Sequence, residues 1–98
     1  MDTAAYTTIA TAIIQGQIEG VGKPVAYQIA QRATGVSVQA DGSISLEGDA
    51  QQAIFGLIQE YTKLSGSMGK LLCKLALEEL SFSKPNIDIP RAVLDAVS

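Results

Sequence analysis

The 98-residue chain contains no histidine and a single cysteine, Cys73. Without histidine it lacks the one side chain whose ordinary charge change falls between about pH 5 and 8, the usual carrier of acid–base catalysis. A lone cysteine excludes an intrachain disulfide and fits a reducing compartment. Charge is also scarce: 17% of residues, ten acidic and seven basic, for a net charge of −3. No Lys or Arg occurs between Arg32 and Lys63. Phosphate contacts supply most nucleic-acid affinity, so this acidic balance argues against DNA or RNA as a partner. A membrane-spanning run is missing too. The opening MDTAAYTTIATAII has an acidic second residue, no basic leader and threonines through its apolar stretch. It suits neither a signal peptide nor a membrane helix. These absences together predict a cytoplasmic protein.

What the chain has in quantity is apolar surface, 47% of its residues. That composition belongs to globular chains, and the length suggests a single domain over residues 1–98. With so few charges, a small monomer would struggle to hide its apolar groups, which favours an oligomer.

Tyr6, Ile9, Ile13, Ile14 and Ile18 recur at spacings of three and four and predict a helix over about residues 4–18. Asp2 or Thr3 is placed to cap it, and Gly20 and Gly22 to break it. Pro24 marks the first turn of a second helix. Val25, Ala26, Ile29, Ala30 and Ala33 give that helix a narrow stripe of mostly small residues, and Gly35 is placed to stop it. In VSVQADGSISLEGD the period changes to two, predicting two strands joined at Asp41-Gly42. A two-residue loop would set Val38 against Ser45, apolar beside polar. The three-residue loop Ala40-Asp41-Gly42 instead sets Val38 against Ile44 and Val36 against Leu46, with Gly42 in the left-handed position of a bulge turn.

Asp49 and Gln52 resemble a capping box for a third helix over about 50–64, whose apolar face is Ile54, Leu57, Ile58, Tyr61 and Leu64. Glu60 and Lys63 are spaced to pair on its outside. A fourth helix, about 67–80, carries Met68, Leu71, Leu72, Leu75, Ala76 and Leu80. Pro85 breaks the chain, and residues after Pro90 can form a final turn or two. The fold class is therefore α+β: four main helices, a two-stranded antiparallel hairpin between helices 2 and 3, and a short C-terminal helical turn.

Several stretches look chemical and prove ordinary when counted. SGSMGKLL has two residues, not four, between Gly66 and Gly69, a leucine after Lys70 where a phosphate loop needs Ser or Thr, and a helix before it. It predicts a helix–helix corner, with Gly69 and Lys70 keeping a weak claim on an anion at a helix start. EGVGKPVA is a similar corner. Asp41, Ser43, Ser45, Glu47 and Asp49 alternate like calcium ligands, but Leu46 and Gln52 occupy the positions where an EF-hand needs Gly and Glu. IAQRATGVSV opens like a helix-turn-helix, yet a hairpin follows where the recognition helix should be. Cys73 lies mid-helix among leucines and reads as a core thiol. Glu78 and Glu79 read as a solvated face, with Glu78 spaced to pair with Lys74. No acid, base and positioned electrophile assemble, so the sequence leans away from an enzyme and implies no metal or cofactor.

The expected function is a cytoplasmic interaction or regulatory module, non-enzymatic, acting as a homodimer and able to meet a larger protein. Its expected dimer contacts are Val36, Val38, Ile44 and Leu46 on the hairpin, with Ile89 and Val93 in the tail. Residues 84–98 are too apolar for a free tail and should dock on their own domain or cross to a partner as an arm. The alternatives are a small-ligand sensor with a pocket near Tyr27 and Tyr61, and a DNA-binding regulator.

Overall fold

A computed structural model describes residues 3–98, so the capping role expected of Asp2 lies outside the described residues. The elements are α1 (Thr3–Val21), α2 (Lys23–Ala30), β1 (Val36–Val38), β2 (Ile44–Leu46), α3 (Ala50–Ser65), α4 (Ser67–Ser83) and α5 (Arg91–Val97). The order α-α-β-β-α-α, closed by a short helix, is the one the periodicities predict.

Helix α1 starts in threonine-rich sequence that is only a moderate helix former. Three hydroxyls bond back one turn instead of competing from outside. Thr7 Oγ1 donates to Thr3 O at 2.9 Å, Thr8 Oγ1 to Ala4 O at 3.0 Å and Thr11 Oγ1 to Thr7 O at 2.8 Å. The helix then runs through Gly20, where the sequence suggested a break, and ends at Gly22, whose φ is 89°. The physical reason lies across the helix. A Cβ on Gly16 would sit 3.0 Å from Ala76 Cβ, and one on Gly20 would strike Leu72 Cδ1 at 2.6 Å. Ala12, Gly16 and Gly20 are thus the close-packing seam on which α4 lies antiparallel to α1. These glycines stay helical because packing against α4 more than offsets their poor propensity.

The hairpin has the register expected: Val36 pairs with Leu46, Ser37 with Ser45 and Val38 with Ile44. Gln39 N donates to Ser43 O at 2.8 Å and Gly42 N to Gln39 O at 2.9 Å, closing the three-residue loop. Gly42 takes φ 87°. Asp41 accepts from both Ser43 N and Ser43 Oγ, which lowers its carboxyl pKa below the ordinary value through the side-chain bond first and the backbone bond second. Asp49 Oδ1 accepts from Gln52 N at 3.1 Å and starts α3. The alternating acidic run is therefore a turn and a helix cap.

Helix α2 stops at Ala30, several residues before Gly35, and a tight turn carries the buried Ala33 into the hairpin. Gly66, at φ 59°, separates α3 from α4, so the corner is real. No side chain caps the start of α4, although Ser65 and Ser67 stand beside it. Helix α5 packs on α3 and α4 and brings Val93 and Val97 into the core, and Ile89 joins it from the segment before the helix. The tail thus docks on its own chain. The common core gathers Ile9, Ile13, Ile14, Ile54, Leu57, Tyr61 and Leu77 from α1, α3 and α4.

Candidate functional site

The residues singled out in the sequence lie mostly inside this core. Tyr61 is fully buried, and its hydroxyl donates to Ala26 O at 2.7 Å. Burial pushes its phenol well above the ordinary range, with smaller contributions from Cys73 and Tyr27. Tyr27 is half-buried, packs against the core and stands with its hydroxyl beside Gly42 at the hairpin tip. Gly69 is buried where α4 crosses α3, so close that a Cβ would collide with the Tyr61 carbonyl. Lys70, next to it, is half-buried. Of the six residues expected at a dimer contact, Val36, Ile44, Ile89 and Val93 are buried in the chain's own core, and Val38 and Leu46 pack against it. They pack within the chain itself.

One buried polar group joins α1 to α4. Gln17 Nε2 donates to Gly69 O at 2.9 Å and reaches Cys73 Sγ at 3.5 Å, while its Oε1 has no partner among the described residues. Burial raises the Cys73 thiol to about 11, with the Gln17 amide pulling slightly the other way. The thiol is therefore a protonated core group at neutral pH rather than a nucleophile. A sign follows for alkaline solution. In the unfolded chain the thiol ionises at its ordinary value near 9.0, whereas the folded chain keeps the proton to about 11. Between those values the folded state binds more protons, so stability falls as pH rises. Urea unfolding should show this group's contribution level well below about pH 9 and declining above it, by about 2 kcal/mol or less. Tyr61 adds a decline in the same direction at higher pH. A Cys73→Ala variant should show a smaller decline between about pH 9 and 10, and an unchanged one would remove the thiol as the cause.

The free apolar surface is elsewhere, on α4. Among the described residues seven large apolar side chains are exposed, and four of them belong to this helix. They are Met68 at 56%, Leu71 at 45%, Leu75 at 50% and Phe82 at 92% relative exposure. Met68, Leu75 and Phe82 are spaced by seven and Leu71 by three or four from its neighbours, so all four share one face, opposite Cys73 and Leu77. The sequence does contain this signal. The apolar residues of α4 cover too wide an arc for a helix with one buried stripe. Phe82 lies beyond the stretch of about 67–80 that the periodicity assigns to the fourth helix, yet it stands on the last turn of α4.

Beside this row, α1 and α4 leave a shallow depression of about 350 Å³. Its floor is Ala12, Gly16 and Ala76, and Glu19 and Glu79 stand on its rim. Lys74 on the flank of the row and Glu78 within it are exposed and have no ion-pair partner among the described residues. The expected pair between Lys74 and Glu78 does not form, whereas the one between Lys63 and Glu60 does, at 3.3 Å. Among the described residues no helix is long and apolar enough to cross a membrane. Comparison with protein-family models, curated proteins and solved structures finds no match to this chain.

Proposed function

We propose that the chain is a non-enzymatic interaction module that works as a homodimer joined through the outer face of α4, in a reducing compartment such as the cytoplasm. The observation that carries this reading is the outward row Met68, Leu71, Leu75 and Phe82. Apolar side chains cost free energy in water, and a contiguous row of them on a small domain marks a place where another surface belongs. The core does not need them, since α4 already contributes Cys73, Leu77 and Leu80 to it. Tyr61, the centre of the alternative ligand-sensor reading, has its ring and hydroxyl committed inside the fold. The buried Cys73 supports the reducing compartment.

Sedimentation equilibrium across the micromolar range tests the reading directly. The wild-type chain should behave as a dimer. Leu75→Glu should weaken self-association by roughly 2 kcal/mol, about thirtyfold, because it sets a charge in the centre of the row. Its urea unfolding, measured on the monomer, should change little, since Leu75 is half exposed in the protomer. A wild-type chain that stays monomeric throughout the range would exclude the homodimer, and the same face would then belong to a larger protein.

A further inference from the structure

We infer that the two copies meet with their α4 helices antiparallel, across a two-fold axis lying between Leu75 and Glu78, so that Lys74 of each copy reaches Glu78 of the other. This orientation rests on the homodimer reading above. It comes from the one residue that interrupts the apolar row. Met68, Leu75 and Phe82 recur every seven residues, with Leu71 and Glu78 between them. Glu78 therefore stands in the same seam as the leucines, and it is exposed and unpaired among the described residues.

Two closed arrangements are available to two identical helices. In a parallel pair the axis runs along the seam and each residue faces its own copy. Leucine would meet leucine, but Glu78 would meet Glu78 as water leaves. Like charges brought together across an interface are strongly unfavourable. A parallel pair would also bring Lys74 near Glu79 on its flanks, but exposed flank pairs contribute little and do not offset two facing carboxylates. In the antiparallel pair Leu71 packs on Phe82 of the other copy and Leu75 on the methylene stem of Glu78. The Glu78 carboxylate then lies beside Lys74 of the other copy. Lys74 borders the seam one turn before Glu78, so the two-fold axis generates the contact twice. Both charges gain a partner that the protomer does not give them.

Cysteine pairing and a charge exchange separate the orientation from the dimer itself. Leu71→Cys and Phe82→Cys, made singly, should each stay uncrosslinked under mild oxidation, because the antiparallel axis holds like positions far apart. Mixing the two variants should produce a disulfide-linked pair. The native Cys73 is buried and its thiol stays protonated near neutrality, so it should not interfere. In the second arm, Glu78→Lys should weaken self-association roughly tenfold, and adding Lys74→Glu should restore it to within about threefold of wild type. A parallel pair predicts the reverse. Leu71→Cys alone would crosslink, and the double exchange would bring no recovery, because like charges would still face each other at position 78. Either result in a sample that sediments as a dimer overturns the orientation and leaves the homodimer standing. So does a dimer in which neither the single variants nor the mixture crosslinks. A wild-type monomer overturns both.

Discussion

Gly69→Ala should destabilise the protein by about 2 kcal/mol, although it replaces a poor helix former with the best one inside a helix. Propensity alone predicts a gain of about 1 kcal/mol. The opposing term is steric. A Cβ at position 69 would collide with the carbonyl of Tyr61, which is backbone in the last turns of α3 and cannot swing aside. Forcing atoms into such a site costs up to about 3 kcal/mol, so the collision outweighs the propensity. The same shift would disturb the Gln17 bond to Gly69 O. The observable is the urea midpoint, or a melting temperature lower by about 10 °C for a domain of this size. A Gly69→Ala protein as stable as wild type would mean that α3 and α4 do not cross this closely. Gly66→Ala is the comparison variant. No atom stands within 4 Å of a Cβ there, so any loss would come from its φ of 59° rather than from a collision.

That glycine also shows how far the sequence could be read. The spacing in SGSMGKLL rejects a phosphate loop and implies a corner, and the corner is present at Gly66. Why Gly69 follows it could not be read, because the atom it avoids comes from another helix. Gly16 and Gly20 teach the same point in the opposite direction. Read along the chain, Gly20 looks like a helix end, whereas in space it lets α1 and α4 approach. The hairpin was legible to the residue, because a period of two and an odd loop admit only one register. Local chemistry decides such features and tertiary contact decides the glycines.

The candidate surface was legible only in part, for a related reason. An apolar pattern states that a side chain should leave water, not which surface it should meet. Val36, Val38, Ile44, Leu46, Ile89 and Val93 are apolar and periodic, and the fold uses them against its own helices. Met68, Leu71 and Leu75 are equally apolar and periodic, and the fold leaves them outside. The distinguishing signal is the width of the apolar arc on α4. Cys73, Leu77 and Leu80 already fill one side, so the leucines on the other side have no place in the chain's own core.

Tyr61→Ala should cost about 4 kcal/mol, the largest loss expected from any single truncation considered, and Tyr61→Phe about 1 kcal/mol. Tyr61 heads the fully buried side chains by volume, and it sits where α3 faces α2 and α4. Removing a buried aromatic ring to alanine typically costs about 3–5 kcal/mol, from lost burial and from the cavity left behind. A small domain holds only about 5–15 kcal/mol in total, so the alanine variant should be unfolded in part at physiological temperature. The phenylalanine variant keeps the ring and loses only the 2.7 Å bond to Ala26 O, which fastens α2 to α3. A net hydrogen-bond contribution is about 1 kcal/mol. Urea unfolding of the two variants separates ring from hydroxyl. Hydrogen exchange then locates the effect, with Tyr61→Phe expected to loosen the amides of α2 more than those of α1. Equal losses in the two variants would mean that the hydroxyl, not the ring, holds this part of the fold. The alkaline decline supplies a second check. Tyr61→Phe removes the phenol whose ionisation burial opposes, so its stability should fall less steeply than wild type above about pH 10.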